Sequence, residues 1–298
     1  MADISVLRGR KLSVEGARLI GTGFFSNVYM IAEDTVVKVL KSGDPEDAER
    51  EILLSKWALK NGIPTAISFD VVDVDGHPGL VYESLGRNNM RNELRDHPEK
   101  FDELMQRYVS LLKTINSVTA EDDRLPKALD EYFQKLEDLR GMLTVDEYEK
   151  MKALLCTVPD RSTLVHRDCQ VKNIKLRNDE LYLIDLDTLS RGDPIFELMA
   201  LYCCYKLFVE MKKVDYDDFF ELSAERLSGI WDAILRLYFA GLPEDAISDN
   251  ENKIRLLSYL HMLHFIVNNF DSDPDKLLPM YEGFKKCLTT VEDLRLKF

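Results

Sequence analysis

Hydrophobic and polar positions alternate over short runs in the first 85 residues, as they do in β-strands. The runs are rich in β-branched and aromatic residues and are separated by turn signals, among them a glycine-containing loop and Glu33-Asp34. The last two runs flank Asp75-Gly76, a pair typical of a tight hairpin. The five predicted strands are 17–23, 25–32, 35–41, 68–74 and 79–84.

Apolar residues recur at helical spacing between the third and fourth of these strands. Asp44 followed by Pro45 predicts the N-cap and the first position of a helix. Asn61-Gly62 predicts its end, because glycine accommodates the backbone that terminates a helix. The predicted buried face of this helix consists of Ala48, Ile52, Leu53 and Trp57.

From about residue 98 the apolar positions recur every three or four residues, which predicts a mainly helical region. One strand pair, 173–177 and 181–186, interrupts it around a turn at Asn178-Asp179. We therefore predict a bilobal α+β protein, with a small β-rich N-lobe over residues 1–85 and a larger helical C-lobe over residues 86–298. The predicted helices are 98–118, 126–141, 144–156, 195–212, 216–240, 249–269 and 275–291.

Composition narrows the class of protein. Lys and Arg number 39 and Asp and Glu 53 in 298 residues, a net charge of −14. Such a surface disfavours nucleic acid and anionic membranes as partners, and it is compatible with a cationic substrate or simply with solubility.

We expect a cytoplasmic protein, because there is neither a signal-peptide core nor an apolar run of about 20 residues. The five cysteines have no metal-ligand spacing, so reduced thiols are expected.

Lys38 stands in an apolar strand, VVKVL, and a lysine in such a place needs a physical reason. Burying an unpaired ammonium is unfavourable, so an ion pair that presents the amine to the phosphates of a nucleotide is one interpretation. Glu51 is the preferred partner, and Glu49 on the same helix stays open. The other interpretation is an edge strand from which Lys38 extends into water.

The segments HRDCQVKN at 166–173 and LIDLD at 183–187 carry the clearest chemistry. Asp168 is placed to orient an acceptor hydroxyl and to take its proton. Asn173 and Asp185 offer oxygen atoms, the ligands that Mg²⁺ prefers. Asp187 is open to three interpretations: a surface acid, a metal ligand or a substrate contact.

Two further segments are candidates for nucleotide binding. Gly21 and Gly23 join the first two strands and let the backbone approach phosphate oxygens, and Ser26 adds a hydroxyl donor. The backbone C=O of Glu83 and the backbone N–H of Leu85 follow an apolar pair between the lobes, where they can pair with adenine.

The remaining polar candidates have plainer interpretations. His166 is expected to be a hydrogen-bonding core residue, and Cys169 to be a small space-filling side chain. His261 and His264 share a helix face and are expected to pack or to face substrate rather than bind metal. Four acidic residues of the helical region are open to two interpretations, a contact with an amine or a solvated helix start: Glu210, Asp215, Asp217 and Asp218.

At these motifs the chain resembles the protein-kinase fold, and more closely the aminoglycoside phosphotransferase and choline kinase family. VHRDCQVKN is similar to the His-x-Asp-x-x-x-x-Asn loop of that family, and LIDLDTLSRGDPIFEL to its Ile-Asp strand followed by Gly-Asp-Pro and an acidic-Leu pair. The resemblance implies ATP and Mg²⁺ as cofactors. It also implies that Lys38 binds ATP phosphates, that Glu51 pairs with Lys38, that Asp168 is the catalytic base, and that Asn173 and Asp185 hold magnesium.

Two departures from the family pattern stand out. Arg167 occupies a position where that family usually has glycine, and the metal-binding strand reads Asp-Leu-Asp rather than Asp-Phe-Gly. Compared with a protein kinase, Gly192-Asp193-Pro194 follows Asp185 after only a few residues, which leaves no room for a long activation segment. The expected acceptor is therefore a small molecule.

The function predicted from the sequence is ATP-dependent transfer of the γ-phosphate to a hydroxyl of a small molecule. An aminoglycoside, choline or ethanolamine, or a sugar would serve as acceptor. A nucleotide-binding module without transfer activity and a protein kinase are the alternatives. The sequence predicts no oligomeric state.

Overall fold

The computed structural model describes residues 10–23, 25–210, 219–270 and 273–298. The chain divides into two compact units. The first unit consists of the described residues up to Met90 together with Asn173–Asp187, and the second unit consists of Arg91–Lys172 and Thr188–Phe298. The predicted division after residue 85 stays a prediction.

Residues 173–187 group with the first unit, although the sequence led us to count them with the helical lobe. Two hydrogen bonds at the end of the hairpin show why. Thr65 Oγ1 donates to the carbonyl of Leu183, and the Leu183 amide donates to the carbonyl of Pro64, both at 2.7 Å. Main-chain bonding over more than 100 positions is not visible in a local sequence pattern.

A five-stranded antiparallel sheet forms the body of the first unit, in the order β1-β2-β3-β5-β4. All five predicted strands are present. Asp75 and Gly76 both have positive φ, 52° and 88°, in the turn between the last two strands, as a tight hairpin requires. The strands are β1 (Arg18–Thr22), β2 (Ser26–Ala32), β3 (Thr35–Leu40), β4 (Ser68–Val74) and β5 (His77–Glu83).

Helix α1 (Pro45–Lys60) packs against this sheet. Asp44 Oδ1 accepts a hydrogen bond from the Glu46 amide at 2.9 Å, and the helix ends at Asn61, as predicted. Its buried positions include Ala48 and Ile52, but Leu53 is 51% exposed, so that part of the predicted face is wrong. Leu53 lies one position off the helical stripe, and Leu54 is buried in its place.

A hairpin and a short turn complete the first unit. Strands β7 (Ile174–Arg177) and β8 (Glu180–Leu183) pair across Asn178 and Asp179, both at positive φ. The strand β8 ends before the predicted residue 186, and a 3₁₀ turn at Leu186–Thr188 follows. Asp185 therefore lies just beyond the strand rather than at its last position.

The second unit is mainly helical, which confirms the predicted α+β class. Helix α2 was not predicted. The described helices are α2 (Met90–Asp96), α3 (Phe101–Ser117), α4 (Ala128–Asp138), α5 (Val145–Leu155), α6 (Ile195–Tyr202), α7 (Ala224–Tyr238), α8 (Glu244–Asn269) and α9 (Pro274–Thr290), and β6 (Leu164–Val165) pairs with β9 (Ser190–Arg191).

Three predicted helices have bounds that differ clearly from the observed ones. The helix predicted over 195–212 continues from α6 through a π turn at Cys203–Leu207 to Glu210, and residues 211–218 lie outside the described residues. Of the helix predicted over 216–240, residues 216–218 lie outside the described residues, and α7 covers Ala224–Tyr238. The Ser223 side chain accepts from the Arg226 amide at 3.2 Å and caps α7. Helix α8 begins at Glu244, before the predicted residue 249.

Helix α6 lies at the centre of the second unit and is buried along its whole length, packed against α8. Seven of its eight residues are apolar or aromatic, and the eighth is Glu197, which has no exposed surface. A charged residue in such a place needs hydrogen-bond partners, and these are described below. In the described part of the chain, no helix has the length and hydrophobicity to cross a membrane.

Candidate active site

Lys38 in β3 is buried and paired. Its Nζ lies 2.9 Å from each carboxylate oxygen of Glu51 on α1, and the Tyr82 hydroxyl donates to Glu51 Oε1 at 3.1 Å. Strand β3 lies between β2 and β5, so the edge-strand interpretation of Lys38 is wrong. Of the two acidic residues considered on the helix, it is Glu51 that contacts the lysine.

Asp185 adds a second carboxylate to the same ammonium, through Oδ1. Burial alone would lower the pKa of Lys38, but the carboxylates of Glu51, Asp185 and Asp187 raise it above its usual value. Lys38 therefore stays charged at every pH at which proteins are usually studied. It acts as a fixed cation between two acids that are 134 residues apart in sequence, a difference obtained from 185 − 51.

The carboxylates of Glu51, Asp185 and Asp187 have oxygen atoms within 4.8 Å of one another. Asp185 takes a left-handed backbone conformation, with φ of 66°, and Asp187 accepts from Arg50 Nη2 through its carbonyl oxygen at 3.3 Å. No described residue donates a hydrogen bond to Asp185 Oδ2. The donor set is all oxygen and acidic, which fits a hard cation such as Mg²⁺.

Asn173 belongs to the same unit. Its side chain is buried, and its backbone carbonyl accepts from the Ile184 amide at 3.0 Å, next to Asp185. The start of β7 and the residues after β8 are therefore bonded to each other, which links the two predicted metal ligands through the main chain.

The glycine-containing turn between β1 and β2 is held by hydrogen bonds to its own backbone. The Gly23 amide donates to the Ser26 carbonyl at 2.8 Å, and Lys41 Nζ donates to the Gly23 carbonyl at 2.7 Å. Neither Gly21 nor Gly23 has the left-handed φ that only glycine adopts readily. A Cβ added at Gly21 or at Gly23 would make only ordinary van der Waals contacts, with Val28 or with Ser26. Ser26 is buried at the start of β2.

Glu83 and Leu85 lie at the end of β5. The Glu83 carboxylate accepts from the Ile67 amide at 2.9 Å and pairs with Arg177 Nη1 at 3.0 Å, and the Leu85 side chain is buried. Both side chains are thus used within the first unit. A role in binding a base would fall to their backbone groups, which is the role predicted for them.

Asp168 lies in the loop after β6, in the second unit. Its amide donates to His166 Nδ1 at 3.1 Å, and the amides of His166 and Arg167 both donate to Glu197 Oε2, at 2.5 and 3.1 Å. Burial raises the pKa of Glu197, and these backbone amides oppose the rise. A fully buried carboxylate on α6 therefore holds the main chain that carries Asp168.

A family model describing the phosphotransferase enzyme family, APH, matches residues 16–224 of the 298-residue chain. The chain belongs to this family. The resemblance predicted from the motifs is confirmed, and so is the enzyme class, a phosphotransferase. Sequence comparison with curated proteins finds no match.

Solved structures of aminoglycoside phosphotransferases and of a choline/ethanolamine kinase family protein resemble this phosphotransferase. The streptomycin–ATP complex of APH(2'')-IIa is 20% identical, with coverage of 92% of this chain and 91% of that chain and a TM-score of 0.56. A thermostable APH(4)-Ia with ADP and hygromycin B is 12% identical, with coverage of 93% and 96% and a TM-score of 0.61. The kinase family protein from Mesorhizobium loti is 14% identical, with coverage of 93% and 89% and a TM-score of 0.57. The kinase-like fold predicted from the sequence is confirmed.

Arg167 of this phosphotransferase has a φ of 68°, the left-handed region in which glycine is the easy choice. For another residue this conformation costs about 1–2 kcal/mol. The side chain has 9% exposure and is held twice, because Nη1 donates to Glu131 Oε2 on α4 at 2.5 Å and Nε donates to the Thr188 carbonyl at 3.1 Å. These bonds offset the strain and explain how arginine is accommodated next to Asp168.

The ion pair with Arg167 lowers the pKa of Glu131. Burial alone would raise its pKa, but Arg167 and Lys135 lower it to about 2. Glu131 and Glu197 are functional-site neighbours that the sequence did not single out for a role. The available signals were an acidic residue in an otherwise apolar helix, for Glu197, and the arginine at a glycine position, which implies a carboxylate partner.

The other polar candidates of this phosphotransferase are buried or bonded to other side chains in ways that serve the fold. Burial raises the pKa of the Cys169 thiol, which makes it a poor nucleophile. His261 Nδ1 lies 2.9 Å from the Tyr132 hydroxyl, and burial lowers its pKa to about 3. His264 pairs with Asp138, and Glu210 accepts from the Tyr259 hydroxyl at 3.3 Å. The acidic residues at 215, 217 and 218 lie outside the described residues.

Proposed function

We propose that this phosphotransferase moves the γ-phosphate of ATP to a hydroxyl group of a small molecule. The observation that carries the proposal is the cluster in which Lys38 is bound by Glu51 and Asp185 within one unit. A buried ammonium with two carboxylates is the arrangement that binds phosphate oxygens and their cation together. Membership of the phosphotransferase family and structural neighbours solved with ATP and with ADP support it.

In this proposal the first unit binds the nucleotide. Lys38 contacts the α- and β-phosphates and is kept in place by Glu51. The backbone around Gly21, Gly23 and Ser26 covers the phosphates, because a glycine-containing turn lets its amides approach phosphate oxygens. The Glu83 carbonyl and the Leu85 amide pair with the adenine edge.

Asn173 and Asp185 are proposed to hold Mg²⁺, and Asp187 is a further candidate because its carboxylate reaches the same small volume. When bound, the metal neutralises charge on the phosphates. The protein's own contribution is to place oxygen ligands rigidly, through the hydrogen bond between Ile184 and Asn173. Lys38 has to share Asp185 with the metal.

Asp168 is the proposed catalytic base. The acceptor oxygen attacks the γ-phosphorus and forms a new P–O bond, while the bond from phosphorus to the β–γ bridging oxygen breaks. The electron pair of that bond stays on the departing ADP. The hydroxyl proton passes to the Asp168 carboxylate and from there to solvent. Glu197 and Arg167 keep the loop in place for this step, so most of the catalysis is positioning.

A small acceptor is favoured over a protein substrate by the shortness of the chain after Asp185. Only a 3₁₀ turn and the two-residue strand β9 separate it from Gly192-Asp193-Pro194, where α6 begins. The neighbours are named with streptomycin, with hygromycin B and as a choline/ethanolamine kinase family member. We therefore propose an amino-alcohol, an aminoglycoside or a sugar as the acceptor.

The test is ADP release with Mg·ATP across a panel of amino-alcohols, aminoglycosides and sugars, with Asp168→Asn as the blank. We expect at least one acceptor to support release, and we expect the variant to be slower by about 10²–10⁴-fold because proton transfer is lost. Binding of ATP, followed by calorimetry, is expected to be unchanged in the variant, since its contacts lie elsewhere.

Three other results would contradict parts of the proposal. ATP binding without release across the panel would favour a nucleotide-binding module. Labelled phosphate in added protein but in no small alcohol would favour a protein kinase. An equal fall in turnover and ATP affinity in Asp168→Asn would mean that Asp168 has a structural role.

A further inference from the structure

Two buried tyrosines of the second unit bind the main chain of the loop that carries Asp168. The Tyr108 hydroxyl, from α3, donates to the carbonyl of Cys169 at 2.5 Å. The Val171 amide donates to the Tyr205 hydroxyl at 2.9 Å. The two hydroxyl oxygens lie 3.3 Å apart, and neither tyrosine has exposed surface. Both side chains therefore bond the chain just after Asp168.

The direction of the bond between the two hydroxyls follows from the protons available. A tyrosine hydroxyl has one proton to donate and lone pairs with which to accept. Tyr108 uses its proton on the Cys169 carbonyl, so the proton between the two hydroxyls comes from Tyr205. The bonds run in one direction, from the Val171 amide to the Cys169 carbonyl, and close a ring over residues 169–171. Bonds aligned in this way polarise and strengthen one another in a buried site.

Burial keeps both hydroxyls available as donors. It raises the pKa of each phenol well above its usual value, so neither hydroxyl loses its proton near neutral pH. A buried amide without an acceptor is rare in folded proteins, whereas a buried carbonyl without a donor is somewhat less rare. Loss of the Tyr205 hydroxyl, which serves an amide, is therefore expected to disturb the loop more than loss of the Tyr108 hydroxyl.

The helix that leads to Tyr205 also carries Glu197. The Glu197 carboxylate accepts from the amides of the two residues before Asp168. Tyr205 lies eight positions further along, from 205 − 197, and this offset corresponds to about 80° around a regular α-helix. Tyr205 belongs to the π turn that follows α6, where each residue turns through a smaller angle, and this brings its side chain back towards the face of Glu197. The chain on both sides of Asp168 is thus bonded to one continuous helix.

We propose that Tyr108 and Tyr205 are positioning residues for phosphoryl transfer, because their hydroxyls hold the chain after Asp168 as Glu197 holds the chain before it. This rests on the proposed function, in which Asp168 takes the acceptor proton. The tyrosines act through Asp168 and form no covalent bond, so the balance of the transfer step is unchanged. A catalytic group misplaced by about 1 Å loses up to about 10²-fold in rate, which sets the scale of the expected effect.

The first experiment compares Tyr205→Phe with Tyr202→Phe. Tyr202 is the matched control, because it lies on α6 without exposed surface and its hydroxyl accepts from Arg255 Nε at 2.7 Å. With the acceptor found by ADP release, we expect the single-turnover rate of Tyr205→Phe to fall by about 10–100-fold, and KM for ATP to stay within about twofold of the wild type. Tyr202→Phe is expected to keep the wild-type rate, although both variants lower the unfolding temperature.

A double variant tests the ring of hydrogen bonds. Tyr108→Phe is expected to lower the single-turnover rate less than Tyr205→Phe does, because it leaves a carbonyl rather than an amide unpaired. The two changes together are expected to be little worse than Tyr205→Phe alone, since either change opens the same ring. Additive losses would overturn the ring, because the two hydroxyls would then act separately.

Hydrogen exchange gives a readout that does not depend on activity. In Tyr205→Phe the Val171 amide is expected to exchange at least about 10-fold faster than in the wild type, while the amides of α9 keep their rates. Tyr202→Phe is expected to leave exchange at Val171 unchanged. Wild-type exchange at Val171 in Tyr205→Phe would contradict the bond on which the proposal depends.

The proposal is overturned if folded Tyr205→Phe keeps the single-turnover rate within about twofold of the wild type, or if Tyr202→Phe loses as much rate. A rise in KM for ATP as large as the fall in rate would also overturn it, since the effect would then not be confined to the step at Asp168. Failure of the proposed function looks different, because the wild type itself would then release no ADP with any acceptor, while exchange at Val171 would still respond to Tyr205→Phe.

Discussion

Buried charges serve different purposes in the two units. In the first unit Glu51 and Asp185 both bind Lys38, and Lys38 and Asp185 are also groups proposed to bind ligands. In the second unit Glu197 binds main-chain amides, and Arg167 binds Glu131 and a carbonyl. In the proposed function, the first set exchanges partners when phosphates and a cation bind. The second set keeps a loop in one conformation.

The difference has a physical basis. A buried carboxylate bonded to amides cannot change partners without leaving those amides unsatisfied, which costs about 1–3 kcal/mol for each lost bond. Side chains that pair with other side chains lose less, because an incoming phosphate or cation replaces the lost partner. The groups proposed to respond to a ligand are therefore paired with other side chains, whereas the main chain before Asp168 is held by the Glu197 carboxylate bonded to its amides.

The largest expected effect comes from removing a shared acid of the first unit. In Asp185→Ala, we expect kcat/KM for ATP to fall by about 10³-fold or more, since several kcal/mol of charge stabilisation are lost with the metal. Calorimetry of ATP binding with and without MgCl₂ is the measurement, and the variant is expected to lose the magnesium dependence. ATP affinity and magnesium dependence equal to the wild type would remove Asp185 from the metal site.

The next effect concerns the ion pair of Lys38 and Glu51. We expect Lys38→Ala and Glu51→Gln each to raise KM for ATP, by about 10–100-fold, and the double variant to be little worse than Lys38→Ala alone. The reason is that Glu51 acts through the lysine it positions. Glu49→Gln, on the same helix, is the control and should behave as the wild type. Additive losses in the double variant would contradict a shared role.

A smaller effect is expected when Arg167 of the second unit is replaced, and it is expected on kcat rather than on KM for ATP. Arg167→Gly replaces a strained arginine by the residue that adopts this φ freely. We expect kcat to fall by about 10-fold, because Asp168 is held less firmly, with KM for ATP unchanged. The unfolding free energy is expected to change by less than about 1 kcal/mol, since the relief of strain offsets the lost ion pair.

A second variant checks that the Arg167 effect arises from its pair with Glu131. Glu131→Gln should lower kcat in the same way, and the two changes together should not add. Glu137→Gln is the control, because Glu137 lies on the same helix as Glu131 but bonds Arg140 and the Tyr148 hydroxyl rather than Arg167. A fall in nucleotide affinity in Arg167→Gly would contradict the division of roles between the two units.

The smallest effect is a pH dependence of stability. Because Arg167 and Lys135 hold the pKa of Glu131 at about 2, well below its unfolded value, the ionised form stabilises the fold above about pH 5. That contribution is lost as the pH falls from about 5 towards 2. Glu131→Gln is expected to show a smaller loss of unfolding free energy over this window than the wild type. Exposed Glu149→Gln is the control and should follow the wild type.

Much of the candidate site was predictable because its residues follow one another closely. Asp168, Asn173 and Asp185 belong to short motifs with fixed spacing, and Lys38 drew attention as a cation among valines. The choice of Glu51 as its partner followed from the need to neutralise a buried charge. Leu53 was assigned wrongly to the buried face because a helical period read from few residues leaves an uncertainty of one position.

The contacts that the sequence did not predict join residues that are far apart in the chain. Arg167 and Glu131 are 36 positions apart, His166 and Glu197 are 31 apart, and neither acidic residue belongs to a motif that states its partner. The cap at Ser223, inside the helix predicted over 216–240, was not visible in the apolar pattern either. Periodicity detects helical character, but the side-chain bond at the cap decides where the helix begins.

The sequence by itself determined the five strands of the first sheet, the β7–β8 pair and most of the helices, the family, and which residue types are available for phosphoryl transfer. Local backbone preferences and short spacings encode these features within a few turns of chain. Only the tertiary structure decided which charges are neutralised, because Lys38 meets Asp185 across 147 positions and Arg167 meets Glu131 across 36. Charge neutralisation depends on distances of 3–4 Å after packing, and those distances are set by the whole core rather than by neighbours in the chain.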